Sequence, residues 1–169
     1  LAEYRRYSGD EYSEIARRMT NLFADPLPCE VTAGAQSRFL EAGLIHRTER
    51  GELVRSKSEL VIANMLFARG IDYAYEQPLV LPSGHTLYPD FTIADSARGV
   101  TYYWEHLGML DDPAYRARWE RKRQVYAEAG ILPWPEGGGE EGTLIETVDE
   151  PGGALDAARI ARVIEEVMA

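Results

Sequence analysis

Two stretches of apolar and aromatic residues that favour β-strands each contain one carboxylate, and this pattern constrains the fold more than any other feature. The sequence Tyr-Pro-Asp-Phe at 88–91 includes Asp90, and Trp-Glu-His at 104–106 includes Glu105. A charge without a partner is costly to bury in such surroundings. Because two acidic groups on neighbouring strand ends suit a hard divalent cation, we expect Asp90 and Glu105 to lie side by side and bind one.

The composition predicts one folded core with a small appendage. Of the 169 residues, 45% are hydrophobic, which suffices for a single good core. Every apolar run is far too short to span a membrane, and we expect no membrane partner. The lone Cys29 excludes a cysteine-based zinc site and fits a reducing cytoplasm. Since Leu1 stands where an initiator Met would, we expect a piece of a larger protein.

The charge is strongly acidic but unevenly distributed. A net charge of −10 argues against a general nucleic-acid coat, which would be basic. All basic residues between 101 and 150 nevertheless fall within 116–123. Four of them are candidate contacts for DNA phosphates, although a solvated helix face is the common role of such residues. These are Arg116, Arg118, Arg121 and Arg123.

The first 51 residues predict a small helical extension. Helical spacing of apolar residues covers 11–24, and proline ends that helix at 26. A second helix is predicted over about 32–43. Residues 44–48 and 53–55 then predict a tight hairpin. Two helices and a hairpin give a winged-helix-like outline, so we expect a domain of 1–51 followed by a second domain of 52–169.

The second domain is predicted to follow the order α-β-β-β-α-β-α. Helices are expected where apolar residues recur with helical spacing between capping signals, and strands where β-branched and aromatic residues gather. Asp112 and Pro113 suit the start of the second of these helices. The expected helices are 57–69, 112–129 and 155–168, and the expected strands are 73–81, 86–93, 100–106 and 143–148.

This order of elements, with Glu59 on the first helix, Pro-Asp on the second strand and Glu105 on the third, resembles the PD-(D/E)xK nuclease superfamily. The resemblance implies an α/β, restriction-endonuclease-like α-β-β-β-α-β core with a mixed four-stranded sheet. It implies a DNA nuclease that depends on Mg²⁺ or Mn²⁺. The Trp-Glu-His-Leu-Gly-Met block at 104–109 resembles a branch fused to helicases and other ATPases, which implies an accessory domain with such a partner.

The resemblance also implies roles for individual residues. Asp90 and Glu105 would ligate the metal, joined by the backbone carbonyl of His106 and by Glu59, directly or through water. Leu107 occupies the position where the superfamily has a lysine that orients the attacking water. Some members carry that lysine on the next helix, which makes Lys122 the first candidate. Lys57 and Tyr126 are further candidate catalytic residues, the tyrosine for phosphate contact.

Other interpretations of the same residues stay open. Asp90 can be an ordinary turn or strand-edge residue, and Glu105 an acid on the surface of a strand. Glu59 can complete a capping box with Ser56. Lys122 can be a solvated helix charge and Tyr126 a core residue. His106 points opposite to Glu105, so its side chain is expected to pack. The missing lysine motivates one further hypothesis, a non-catalytic DNA-binding or assembly module. The acidic net charge motivates another, an RNA-directed or toxin-like nuclease.

Overall fold

The structure of the protein, a computed structural model, describes residues 43–150 and 152–168. All helices and strands within those ranges belong to one compact unit, Ile45–Ala169. The helix predicted over 11–24, and the second one up to residue 42, lie outside the described residues. The boundary predicted between 51 and 52 therefore stays a prediction.

The described elements comprise nine strands, three α-helices and one short 3₁₀ helix. The strands are β1 His46–Arg47, β2 Leu53–Val54, β3 Ala74–Tyr75, β4 Leu79–Val80, β5 Thr86–Leu87, β6 Phe91–Asp95, β7 Val100–Leu107, β8 Ile131–Pro133 and β9 Gly142–Val148. The helices are α1 Lys57–Ala68, α2 Pro113–Glu128 and α3 Ala157–Met168, and the 3₁₀ helix is Trp134–Glu136. These elements make a mixed α/β fold.

A mixed five-stranded sheet in the order β3-β6-β7-β9-β8 organises the unit. Neighbours β3, β6 and β7 pair antiparallel, whereas β9 runs parallel to both β7 and β8. Strands β1 and β2 form a separate antiparallel hairpin, as predicted, and so do β4 and β5. The long strand β7 therefore lies at the centre of the sheet, between β6 and β9.

The sheet separates two hydrophobic clusters. Side chains of α1 and α3 pack with Phe91 and Trp104 on one face, while α2 packs with Tyr103 and Leu144 on the other. Because side chains alternate along a strand, consecutive residues of β7 enter different clusters. The two faces of β7 can therefore serve different purposes.

The three helices expected in 52–169 are confirmed within one or two residues of their predicted ends. The Asp112 carboxylate accepts hydrogen bonds from the amides of Ala114 and Tyr115, and Pro113 opens α2. This is the predicted start, in which the cap satisfies amides that have no partner inside the helix. None of the helices in the described part of the chain is long and apolar enough to cross a membrane.

The prediction of continuous strands over 73–81 and 86–93 is wrong. Each stretch divides into two short strands, because Pro78 and Pro89 remove backbone donors from the sheet and Glu76 adopts a left-handed conformation with φ of 45°. The bend leaves Asp90 just before β6 rather than inside a strand.

The prediction of four strands in the sheet is also wrong, because β8 adds a fifth. This strand has only three residues and ends on Pro133, so its sequence carries almost no periodic signal. The glycine-rich stretch after it packs tightly: a Cβ on Gly139 would fall 2.0 Å from the carbonyl oxygen of Gly130. Those glycines permit a close backbone approach that makes room for β8 beside β9.

Candidate functional site

The two predicted acids face each other where β6 begins. Phe91 pairs with Trp104 across the β6–β7 ladder, so the same register brings Asp90 opposite Glu105. The Asp90 carboxylate accepts a hydrogen bond of 2.6 Å from the backbone N–H of His106. Both side chains therefore gather at one end of the sheet, as the sequence predicted.

Glu105 is buried, with 5% of its surface exposed, and two residues of α2 contact the same carboxylate oxygen. The Lys122 ammonium lies 2.6 Å from Oε1 of Glu105, and the Tyr126 hydroxyl donates to that oxygen over 2.5 Å. A charge-assisted hydrogen bond of this kind stabilises an ionised carboxylate strongly. Glu105 is consequently held in one position from the helix side.

The spacing of α2 explains why these two residues converge. Positions 122 and 126 lie one turn apart on the same face of a helix. Trp119 and Tyr126 are buried on α2, so this face of the helix packs against the sheet. The flexible side chain of Lys122 extends from the helix to the strand ends. Its ammonium also donates to the carbonyl of Tyr88 over 3.3 Å. Lys122 therefore bridges the strand break and Glu105.

The electrostatics of the site are those of crowded negative charge. Burial and the charges of Glu105 and Glu59 raise the pKa of Asp90 well above its usual value, although Lys122 and the His106 amide oppose the rise. Burial, followed by the charges of Asp90, Glu105 and Glu59, raises the pKa of the Tyr115 hydroxyl. The acids thus outweigh the cation provided by the protein, and an added cation would relieve the repulsion.

Glu59 has both carboxylate oxygens committed to protein donors. One oxygen accepts from the Ser56 hydroxyl over 2.8 Å, and the other accepts from the Tyr75 hydroxyl over 2.6 Å and the Arg55 amide over 3.0 Å. The Ser56 hydroxyl in turn caps the Glu59 amide. The Glu59 carboxylate thus accepts from the backbone amide of Arg55, whereas a capping box would have it accept from the amide of Ser56.

The side chain of His106 lies on the face of β7 opposite to Glu105. Its Nδ1 is 3.0 Å from the Thr147 hydroxyl and its Nε2 is 2.9 Å from the Asp149 carboxylate. It is therefore a packed histidine, as expected. The backbone of His106, unlike its side chain, is directed toward the acids. The amide N–H and the carbonyl of one strand residue point to the same side of the strand. Since the amide of His106 reaches Asp90, its carbonyl also lies on the side of the acids.

The predicted basic strip on α2 is largely occupied by other parts of the protein. Arg123 pairs with Glu136 and Glu146, and the Arg116 guanidinium donates to the carbonyl of Leu110. The Arg118 guanidinium lies 5.6 Å from the centre of the Tyr115 ring. Arg121 is exposed.

Sequence reasoning missed four residues around the acids: Tyr75, Tyr115 and the ion pair formed by Arg55 with Glu76. The first two are aromatic residues in apolar surroundings and carry no signal that separates them from core residues. Arg55 and Glu76 form a bidentate ion pair across 21 residues of sequence. The strand break at Glu76 brings them together, whereas the sequence predicts a regular strand over 73–81.

The second lysine considered, Lys57, is the first residue of α1 and is exposed. The lysine that reaches Glu105 is Lys122. The structure thus brings together Asp90, Glu105, Lys122 and Tyr126 from the predicted set, with Glu59 close enough to influence the pKa of Asp90.

The donor set at this point suits a hard cation only in part. Within residues 43–150 and 152–168, no three or more His, Cys, Asp and Glu side chains form a group that could hold a metal ion. Two facing carboxylates and the His106 carbonyl are nevertheless oxygen donors of the kind that Mg²⁺ and Mn²⁺ use. Mg²⁺ commonly binds through one or two carboxylates and keeps several waters. The residues present therefore fit such an ion with water completing its coordination.

Comparison with known proteins gives one curated relative. The chain is 33% identical over 131 residues to an uncharacterized protein of Methanocaldococcus jannaschii, a match that covers 76% of this chain and 10% of that protein. The chain therefore spans about a tenth of the length of that relative. No family model matches the chain, and no solved structure matches it.

Proposed function

We propose that this protein is a metal-dependent nuclease that hydrolyses phosphodiester bonds of DNA. The observation that carries the proposal is the convergence of Asp90, Glu105 and Lys122 at one end of the sheet. Asp90 and Glu105 face each other across the register, and Lys122 lies 2.6 Å from Glu105. The raised pKa of Asp90 supports the proposal, because crowded acids with perturbed pKa values are frequent at functional sites.

We further propose that the fold is restriction-endonuclease-like. Supporting observations are α1 before the sheet, the antiparallel strands β6 and β7 that carry the acids, and α2 as the connection to the parallel strand β9. Lys122 on α2 supplies the positive charge that the sequence lacks at Leu107. The small strand β8 is an addition at the sheet edge.

The chemistry follows from which groups lie at the strand ends. Asp90, Glu105 and the His106 carbonyl would hold Mg²⁺ or Mn²⁺, which when bound lowers the pKa of a water and neutralises charge that develops on phosphoryl oxygens. Lys122 carries a positive charge within hydrogen-bond distance of Glu105, where it can orient a water and stabilise negative charge. Tyr126 keeps Glu105 in place through its hydroxyl.

Cleavage of DNA by the purified protein tests this proposal. We expect single- or double-stranded DNA to be cut with Mn²⁺ and left intact with EDTA, and Asp90→Ala to abolish cutting. Asp95→Ala is a matched control, because Asp95 ends the same strand that Asp90 precedes and caps an exposed turn. Protein that binds both kinds of DNA with Mn²⁺ and leaves them intact would refute the proposal. Faster cutting of matched RNA would instead favour an RNA-directed nuclease.

A second candidate is a non-catalytic DNA-binding or assembly module. It is favoured by the way in which Lys122 and Tyr126 occupy one oxygen of Glu105, since a carboxylate held by protein donors needs no metal. Binding of DNA that is unaffected by EDTA and by Asp90→Ala would select this candidate.

The proposed nuclease is expected to act with a helicase or ATPase domain in the same chain or a partner chain. The overall negative charge supports this, and so do the contacts that Arg116 and Arg123 make within the protein, because both reduce the attraction of this chain for DNA phosphates. The length of the Methanocaldococcus jannaschii relative, about tenfold that of the matched region, is in keeping with it. We expect weak, salt-sensitive binding of DNA by this chain alone.

A further inference from the structure

We infer that Arg55, Glu59, Tyr75 and Glu76 form a positioning clasp that fixes Asp90 for cation binding, and that Glu59 belongs to this clasp instead of the metal ligands. The inference rests on the proposed function. It assigns to these four residues a role that acts through Asp90.

The clasp begins at the break between β3 and β4. The β3–β6 register, in which Tyr75 pairs with Phe91, brings Glu76 opposite Asp90. The Glu76 amide donates to the Asp90 carbonyl over 3.1 Å. Glu76 has φ of 45°, the left-handed region that is costly for a residue with a side chain. Such a conformation persists only where surrounding contacts hold it.

The contact that holds Glu76 is its ion pair with Arg55. The Arg55 guanidinium meets both carboxylate oxygens of Glu76, at 2.5 and 2.9 Å, and the two side chains are 11% and 17% exposed. A bidentate pair with this little exposure is geometrically specific in a way that a solvated pair is not. Arg55 therefore fixes the conformation of Glu76, the residue that follows the end of β3.

Glu59 and Tyr75 hold Arg55 in turn. The Arg55 amide donates to the Glu59 carboxylate over 3.0 Å and to the Tyr75 hydroxyl over 3.1 Å, and Tyr75 itself donates to Glu59. Tyr75 also immediately precedes Glu76 in β3. The start of α1 is thereby tied to the residue that faces Asp90.

The position of Asp90 is thus determined from two sides. Its backbone carbonyl is held by Glu76, and its carboxylate by the His106 amide. Rigid placement of ligands by a surrounding set of hydrogen bonds is what metal sites require, and loss of such partners weakens metal affinity by about 10- to 100-fold. Glu59 can fulfil this role without contacting the ion, since Ser56, Arg55 and Tyr75 already use its oxygens.

Mn²⁺ binding by the purified protein, followed by electron paramagnetic resonance, tests the clasp. The variants are Glu76→Gln and Arg55→Lys, which keep the side-chain size or charge but lose the bidentate pair, and Glu59→Gln, which keeps an acceptor for Arg55 and Tyr75. Asp90→Asn, which alters a proposed metal ligand, is the reference for loss of Mn²⁺ binding. Glu165→Gln and Arg98→Lys are matched controls in exposed ion pairs elsewhere. Urea unfolding without metal verifies that each variant is folded.

We expect Glu76→Gln and Arg55→Lys to raise the Mn²⁺ dissociation constant about tenfold, while Glu59→Gln binds like Glu165→Gln. If Glu59→Gln weakens binding as much as Asp90→Asn, Glu59 is a ligand and the inference is wrong. If folded Glu76→Gln and Arg55→Lys both bind like wild type, the pair is only structural and the inference is also wrong. If Asp90→Asn itself binds like wild type, the proposed function fails, and the clasp with it.

Discussion

The two faces of β7 differ in how their polar groups are paired: one face belongs to a core whose hydrogen bonds are satisfied, and the other to a candidate site with an excess of negative charge. Trp104 and His106 on one face meet Thr147, whose hydroxyl accepts from the Trp104 indole over 2.8 Å and lies 3.0 Å from the His106 ring. On the other face, Glu105 meets Asp90, Lys122 and Tyr126. Polar atoms on the first face satisfy one another, whereas charges on the second do not balance.

This difference separates stability from function along a single element. A buried hydrogen-bond network whose members are all satisfied holds a core in one arrangement. Crowded carboxylates reduce the stability of the protein without a cation, and such local costs are typical of functional sites. We therefore expect removal of an acid from the second face to raise the stability, removal of a hydrogen-bond partner from the first to lower it, and the Mn²⁺ affinity to respond only to the former.

The largest effect is expected from Lys122→Met, which removes the cation at Glu105. Breaking a buried ion pair costs about 3–5 kcal/mol, and Lys122 and Glu105 are only 18% and 6% exposed. We expect a fall of about 3 kcal/mol in the free energy of unfolding. Urea denaturation without metal measures it.

The matched control for this variant is Lys57→Met, at an exposed residue on α1. We expect it to change the free energy of unfolding by less than about 1 kcal/mol. Equal losses in the two lysine variants would contradict the ion pair at Glu105 as the source of the effect.

A smaller effect is expected from Thr147→Val on the opposite face. The substitution keeps the shape but leaves the Trp104 indole N–H without its acceptor, which costs about 1–3 kcal/mol. Mn²⁺ affinity should stay at the wild-type value, because Thr147 lies on the face that carries no site acid. A variant that lost Mn²⁺ binding while folded would show that the two faces are not independent.

The smallest effect, of opposite sign, is expected from Asp90→Asn. Because the pKa of Asp90 is raised, the folded protein binds its proton more tightly than the unfolded chain does. Stability therefore falls as the pH rises from about 3.9 through the raised pKa. Asn removes this penalty, and we expect the variant to be more stable than wild type by about 1 kcal/mol at pH 8, a difference that disappears below pH 4.

Calorimetric unfolding of wild type and Asp90→Asn across this pH range measures that difference. The sign of this difference in stability decides the test. A variant less stable than wild type at pH 8 would mean that the Asp90 carboxylate is balanced by its neighbours, contrary to the crowded charge that we describe.

The sequence predicts the proximity of Asp90 and Glu105 better than it predicts the sheet. Helical spacing and caps locate α1, α2 and α3. Asp90 and Glu105 stand out because each is a carboxylate within an apolar, strand-forming stretch of sequence, and burial of a charge leaves a local signal. The short strand β8 and the break at Glu76 leave none. A three-residue strand has no periodicity, and a left-handed Glu76 is set by Arg55, which is distant in sequence.

Lys122 shows the limit of spacing arguments. Its neighbours on α2 are charged, so local pattern alone favours a solvated residue, and only the resemblance suggested that it turns inward. The structure brings it to Glu105 because Trp119 and Tyr126 anchor the same helix to the sheet. Tertiary packing, which spacing does not encode, decides between these alternatives.

The most direct test of a cation held between Asp90 and Glu105 is an anomalous-scattering map of wild-type crystals soaked in MnCl₂. We expect a peak within about 2.6 Å of carboxylate oxygens of both residues, close to the His106 carbonyl, and no such peak in Asp90→Asn crystals. A map with Mn²⁺ bound elsewhere, or with none at this end of the sheet at saturating MnCl₂, would contradict the account.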